Sequence, residues 1–321
     1  MIVELLILLV SLAVLAKSSD VVVASTSKLS AYFGISQMAI GFLLIAVITS
    51  LPEFVVSVIS SHAGNGAIAA GNVFGSNIAN ILLILGVGAV IYGIRITKDE
   101  LDDIGLVLVL TTALSVYIVF SNLLLESTLG FVDGAVLILL FVGYSYYTMK
   151  TGKDAETREK VAKHDAFQAF LYFIISMGLV LVSASFVVSS AVALSERAGV
   201  SQSFIGATII AIGTSLPELS IALQALRRRH YGIALGDAIG SNMTNLTLVL
   251  GAAAVINPID VTLPVFIAAL LFALVADIIL FYAAAVHNRL SWRGGTLFLL
   301  IFLIYLISIF YLQLHNIPVH V

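Results

Sequence analysis

The sequence predicts an all-α polytopic membrane protein with ten transmembrane helices in two inverted five-helix repeats. Three observations lead there. First, the 321 residues are 60% hydrophobic and 10% charged, with a mean hydropathy of +1.13. A soluble domain covers its surface with about 25% charged residues, and this chain cannot. Second, one stretch of sequence occurs twice at a constant spacing. Third, the basic residues gather in alternate connections between apolar runs.

Composition narrows the class further. A transmembrane β-barrel would show alternating segments of about ten residues, whereas the apolar runs here are long and unbroken. The absence of cysteine excludes disulfides and thiolate metal sites. The net charge of −3 is confined to loops and leaves no basic surface for nucleic acid. The expected surroundings are a lipid bilayer, and a monomer is expected.

A span needs about 20 apolar residues. Runs bounded by charge, Gly or Pro predict helices near 2–32, 36–62, 66–92, 101–121 and 129–149, then near 166–196, 201–226, 231–256, 262–286 and 293–315. The first and sixth are long enough to lie tilted. The opening segment, Met1 to Ala16, lacks the basic start of a secretory signal, its one early charge being Glu4, so it reads as a retained first helix. Lys150 to Asp165 is the one sustained charged stretch and reads as a linker. The expected organisation is therefore a first repeat over 1–149, a cytoplasmic linker over 150–165 and a second, inverted repeat over 166–321.

Five spans per half is an odd number, so the second half enters the membrane in the opposite sense, as in many secondary transporters. Loop charge sets the orientation. With both termini outside the cell membrane, the inner loops hold Lys28, Arg95, Lys98, Lys150, Lys153, Arg158, Lys160, Lys163, Arg227, Arg228, Arg229, Arg289 and Arg293. These are 13 of the 15 basic residues, as the positive-inside rule requires. Arg197 falls outside. Lys17 lies within the first span and pairs most simply with Asp20, one turn on.

The repeated stretch runs from Gly41 to Gly86 and from Gly206 to Gly251. It carries Ala46-Val-Ile-Thr-Ser-Leu-Pro-Glu53 and Gly71-Asn-Val-Phe-Gly-Ser-Asn-Ile-Ala-Asn80, then Ala211-Ile-Gly-Thr-Ser-Leu-Pro-Glu218 and Gly236-Asp-Ala-Ile-Gly-Ser-Asn-Met-Thr-Asn245. The offset is 165 residues throughout, for example from Thr49 to Thr214. A register kept without a gap over this length marks an internal repeat.

Thr49, Ser50 and Glu53 share one helical face, as do Ser76 and Asn80, and the second copy repeats this with Thr214, Ser215, Glu218, Ser241 and Asn245. Pro52 has no N–H and frees carbonyls in the preceding turn. Each copy thus offers one carboxylate, one amide oxygen, three hydroxyls and freed backbone carbonyls. Such an oxygen-only set suits a hard cation, and the lack of His, Cys or Met on these faces argues against softer metals. A purely structural role would require basic partners inside the spans, and Lys17 is the one available. An uncompensated intramembrane carboxylate costs about 2.5–3.5 kcal/mol even on the mildest scale, so the two glutamates call for a captured cation or protons.

Other features read as packing or solvated edges. Gly71-xxx-Gly75 and Gly236-xxx-Gly240 are small-residue faces for close helix approach. His62 and His230 stand at loop edges and are expected to be solvated. The Thr-Ser-Leu-Pro-Glu run lacks a neighbouring His to activate its serine, so no enzyme is expected.

The paired motifs Gly-Thr-Ser-Leu-Pro-Glu and Gly-Asp-Ala-Ile-Gly-Ser-Asn, with their first-half counterparts, resemble the α-repeats of the calcium:cation antiporter superfamily, and within it the prokaryotic sodium/calcium exchangers. The resemblance implies a secondary-active antiporter that exchanges Na⁺ for Ca²⁺ by alternating access, without a cofactor; the alternative is Ca²⁺/H⁺ exchange on the same glutamates. It implies that Glu53 and Glu218 are shared acidic ligands and that Thr49, Ser50, Thr214, Ser215, Ser76 and Ser241 supply hydroxyl oxygens. Ala46 and Ala211 would add backbone carbonyls, and Asn80 the amide of the first repeat. Three positions depart from the pattern: Asn245 stands where Asp is frequent, Asp237 where Asn is usual, and Ile48 where Gly is usual. A passive channel would need a continuous pore, against which inverted repeats with occluding helices argue.

Overall fold

The computed structural model describes residues 2–125, 128–152, 161–197, 213–259 and 263–314. Its elements are α1 (Ile2–Phe33), α2 (Gln37–Thr49), α3 (Leu51–His62), α4 (Gly66–Tyr92), β1 (Ile94–Arg95), α5 (Lys98–Leu125), α6 (Phe131–Thr151), α7 (Lys163–Arg197), α8 (Leu216–Arg227), α9 (Tyr231–Ile256), α10 (Leu263–His287), β2 (Arg289–Leu290) and α11 (Trp292–Leu314). Among the described residues, eight helices are long and apolar enough to cross a membrane, or nine if α2 and α3 form one span interrupted at Ser50. The expected span at 201–226 is described only from residue 213, and most of the expected linker lies outside the described residues.

Local chemistry explains the boundaries. Thr97 and Glu100 form a capping box at the head of α5: Glu100 Oε2 accepts from Thr97 N at 2.7 Å, and Thr97 Oγ1 from Glu100 N at 3.3 Å. Gly93 ends α4 in the left-handed region, at φ +65°, where a side chain would be strained. Among the described residues, the π-helical segments Gly41–Ala46 in α2, Ala79–Leu85 in α4 and Asn245–Val249 in α9 have no forewarning in the residue pattern. The expectation of helices alone also needs correcting, because β1 and β2 pair as a two-residue antiparallel ribbon. Such short pairings satisfy backbone groups at loops and need no strand-forming run.

The chain divides into two compact units: Met1–Thr49 with Thr151–Asp237, and Ser50–Lys150 with Ala238–Val321. In the first, α1 packs along α7, its most extensive helix contact. The two run antiparallel, since Glu4 near the start of α1 meets Arg197 at the end of α7 at 2.5 Å. The α1 face turned inward is rich in hydroxyls, and Ser19 Oγ donates to Ser220 Oγ of α8 at 2.8 Å. Asp20 is not chiefly the partner of Lys17, which is 79% exposed and 4.0 Å away. Its Oδ1 instead accepts from Arg228 Nε at 2.6 Å and Arg227 Nη2 at 2.9 Å. These arginines lie some two hundred residues downstream in sequence, so the short spacing to Lys17 was misleading. His230 is half-buried rather than solvated: Gln37 Nε2 lies 3.0 Å from its Nδ1, and burial, then Arg228, holds its pKa below the usual value. Here α2 and α9 cross backbone to backbone, since a Cβ on Gly236 would lie 2.2 Å from Met38 O. Among the described residues nothing lies within 4 Å of the Cβ position of Gly71, and the counterpart of Met38, residue 203, lies outside them.

In the second unit, contacts are exchanged between the two halves of the chain. Ile94 pairs with Leu290, and Leu129 pairs with Ile259. A Cβ on Gly134 would lie 2.5 Å from Gly251 O, and one on Gly295 would lie 2.6 Å from Gly86 O. Ile94 and Ile259, like Gly86 and Gly251, are 165 residues apart; Leu129 and Leu290, like Gly134 and Gly295, are 161 apart. Each contact thus has a counterpart with the halves swapped. The outer faces carry Leu139, Ile278, Leu303 and Ile307, all exposed, while Ser, Thr, Asn, Asp and Glu side chains are buried. An apolar exterior around a polar interior is the pattern a lipid solvent imposes.

Gly134→Ala and Gly295→Ala are expected to destabilise the protein by about 1–3 kcal/mol each through overpacking. Thermal unfolding in detergent checks this, and the two changes are expected to have matching effects because their surroundings match.

Candidate cation site

Each copy of the repeated motif starts a helix at its Leu-Pro-Glu. Ser50 (φ −74°, ψ 3°) and Ser215 (φ −89°, ψ 9°) take the same non-helical turn just before α3 and α8. A serine at this position ordinarily caps the helix with its hydroxyl. Neither does so here, and both Oγ atoms are buried without a hydrogen-bond partner among the described residues. Pro52 and Pro217 fit the first turn, where their missing N–H is no loss. Glu53 and Glu218 follow within that turn, 1% and 2% exposed, where the positive end of the helix dipole favours an anion.

In the first unit, Thr49 Oγ1 lies within hydrogen-bonding reach of Ile45 O (3.1 Å), Ala46 O (3.3 Å) and Asp237 Oδ1 (3.2 Å). A hydroxyl has one proton, so it serves one of these at a time. Ala46 is fully buried. Asp237 is 0% exposed, and its Oδ2 has no hydrogen-bond partner among the described residues. Ser215 and Glu218 belong to this unit and are buried, while Thr214 is half-buried. Ala211 lies outside the described residues.

In the second unit, Ser76 Oγ donates to Glu53 Oε1 at 3.3 Å, and Asn72 Nδ2 donates to the Glu53 carbonyl at 3.1 Å and to Ser57 Oγ at 3.0 Å. Ser241 is fully buried. Around it, two asparagines missing from the predicted ligand set organise two that belong to it. Asn77 Nδ2 donates to Asn242 O at 3.3 Å, and Asn242 Nδ2 returns a bond to Asn77 O at 3.1 Å. Asn80 Nδ2 donates to Asn242 Oδ1 at 3.0 Å, and Asn245 Nδ2 to Asn77 Oδ1 at 3.1 Å. All four bonds survive exchange of residue n with n+165. They give the NH₂ groups of Asn80 and Asn245 one acceptor each and leave both Oδ1 atoms buried, without a hydrogen-bond partner among the described residues. A carbonyl oxygen held by its own amide hydrogens is a pre-set, neutral cation ligand.

The sodium/calcium exchanger protein family model matches residues 3–150 and 168–311. The chain belongs to the sodium/calcium exchanger family. Its relatives include an uncharacterised membrane protein of Methanocaldococcus jannaschii, 31% identical over 94% of this chain and 96% of that one. The sodium/calcium exchanger MaX1 of Methanosarcina acetivorans is 28% identical over 97% of this chain and 99% of its own. Inner membrane protein YrbG of Escherichia coli is 35% identical over 78% and 79%. Among solved structures, the sodium-calcium exchanger NCX_Mj soaked with 10 mM Na⁺ and no Ca²⁺ matches with a TM-score of 0.84, at 29% identity over 96% of this chain and 99% of that one. The protein is therefore a multi-pass membrane antiporter of calcium and a second cation, from a family that uses no cofactor.

Within this exchanger the residues overlooked from sequence were Asn77 and Asn242. Each stands in a repeated Gly-Ser-Asn, so the signal was present as an unused third letter. Their role depends on partners more than 160 residues away, which spacing cannot show. Asn77→Ala would leave Asn245 Nδ2 buried without its acceptor, which is expected to cost about 1–3 kcal/mol. Asn242→Ala strips the same from Asn80. A double-mutant cycle read by unfolding is expected to show that the two losses are not additive, because the residues also bond each other.

Proposed function

We propose that this exchanger moves Ca²⁺ against Na⁺ by alternating access, with Glu53, Glu218, Asn80, Asn245, Thr49, Ser50, Thr214, Ser215, Ser76 and Ser241 as side-chain ligands and Ala46 and Ala211 as carbonyl ligands. Asp237 joins them as a third carboxylate. The observation that carries this assignment is the matched pair of buried amide oxygens, Asn80 Oδ1 and Asn245 Oδ1, each freed by an asparagine that binds the NH₂ group. Further support comes from two helix-starting glutamates, two uncapped serine hydroxyls and a buried Asp237 oxygen, all of them hard donors. The names of MaX1 and NCX_Mj favour Na⁺ as the counter-ion.

The ten spans form two inverted repeats, 1–149 and 166–321, joined by a cytoplasmic linker at 150–165, with both termini outside. The swapped contact pairs of the second unit and the placement of basic residues support this plan. Antiport then follows from electrostatics. The empty, negatively charged site resists passage through an apolar barrier, so only cation-loaded forms change sides, and the sodium gradient drives calcium out.

Glu53→Gln and Glu218→Gln are each expected to reduce Na⁺-dependent Ca²⁺ uptake by proteoliposomes to background. Near-normal uptake in either variant would overturn the ligand assignment. Imposed H⁺ gradients that drive uptake as well as Na⁺ gradients would replace the sodium reading with Ca²⁺/H⁺ exchange. Asn245→Asp is expected to keep transport while shifting its pH profile, because an ionisable ligand replaces a neutral one; an unchanged profile would remove residue 245 from the site.

A further inference from the structure

The second unit holds a buried carboxylate that the exchange site does not use. Asp277, on α10, is 8% exposed, and its Oδ2 accepts from Thr112 Oγ1 of α5 at 2.9 Å. Among the described residues that hydroxyl is its one hydrogen-bond partner, and no Lys or Arg pairs with it. It faces a cavity of about 20 Å³ that Thr111, Thr112, Ser115, Asn77 and Asn242 also line. That volume holds one water-sized occupant. The Thr111 proton is directed to Val107 O and Leu108 O, so the oxygen's lone pairs remain available. Among the described residues, Asp277 is the one charged residue lining the cavity.

The position is unusual within the repeat. Thr112 and Asp277 are 165 residues apart, so the pair are counterparts that touch each other. Packing alone would be served by threonine in both copies. An acid in one copy places a single negative charge beside hydroxyl oxygens, in a region where an ionisable group is costly unless it has a use.

We propose that Asp277 and Thr112, with the hydroxyls of Thr111 and Ser115, bind one monovalent cation, Na⁺, at a site separate from the residues assigned to exchange. One carboxylate neutralises one single charge, whereas Ca²⁺ sites gather more anionic oxygens than this cavity offers. Asn77 and Asn242 form the wall between this cavity and the amides of Asn80 and Asn245, so occupancy here would bear on the orientation of those ligands.

The test uses the full chain in detergent, free of other alkali cations. In Glu53→Gln/Glu218→Gln protein, calorimetric titration with NaCl is expected to retain one Na⁺-binding event, which the added Asp277→Asn change weakens at least tenfold and Thr112→Val weakens severalfold. If the multiple variants do not fold, equilibrium binding of radioactive sodium to Asp277→Asn alone is expected to show one Na⁺ fewer per chain than the unaltered protein, with Ca²⁺ binding retained. Equal Na⁺ binding with and without Asp277 overturns the proposal. So does a cavity that takes only a proton, seen as no sodium binding together with a protonated-carboxyl infrared band that disappears in Asp277→Asn.

Discussion

A polar atom sealed inside an apolar shell must be given a partner or be reserved for a ligand, and the interior of the second unit depends on how that is settled. Asn77 and Asn242 bind each other's backbone carbonyls with their NH₂ groups and turn their side-chain oxygens to Asn245 and Asn80. Each of the four NH₂ groups then has an acceptor. What remains are two acceptors, Asn80 Oδ1 and Asn245 Oδ1. Leaving buried acceptors without hydrogen atoms to bind is unfavourable for a protein alone and favourable for one that takes up cations. The π segments starting at Ala79 and Asn245 belong to the same arrangement, since each widens the helix where an asparagine must turn inward.

The counterpart positions separate shape from charge. Where the two halves agree, as at Gly134 and Gly295 against Gly251 and Gly86, the residues set backbone distance. Where they differ, an acid faces a neutral isostere or a hydroxyl: Asp237 against Asn72, Asp277 against Thr112. Asn72 spends its NH₂ on the Glu53 carbonyl and on Ser57, which Asp237 cannot do, having no donor; Asp237 instead lies against the Thr49 hydroxyl. Asparagine and aspartate have nearly the same volume, so exchanging them alters charge with little strain. The repeat supplies a common frame, and these exchanges make its two halves chemically different.

Helix positions were readable from the residues because lipid leaves the backbone few options: an apolar run of the right length becomes a helix. Observed ends fall within a few residues of expectation, for instance Gly66–Tyr92 and Tyr231–Ile256. The grouping of Glu53 with Ser76 was equally readable, since each motif places them on facing helices. Features built on distant partners were not. Asp20 looked satisfied by Lys17 one turn away, yet it is held by arginines at the end of α8. Gly236 abuts the backbone of Met38, almost two hundred residues upstream, which its place in the motif does not show. Periodicity reports which face a residue lies on, not what the other face belongs to.

On the proposed assignment, Asp237 also decides the ion count. Glu53 and Glu218 alone carry two charges, which one Ca²⁺ cancels and two Na⁺ cancel equally, making the two loaded forms electrically alike. With Asp237 ionised the site carries three charges: three Na⁺ cancel them, and one Ca²⁺ leaves one uncancelled. The neutral amide at residue 245 removes a charge at the end of the motif, and the acid at residue 237 restores one two turns earlier, beside Thr49. A chain that had only lost the acid at 245 would favour the smaller ion count, whereas one that moved it keeps the larger count while changing which hydroxyls surround the third charge. Asp237 Oδ2, buried and without a hydrogen-bond partner among the described residues, is placed as a moved ligand would be.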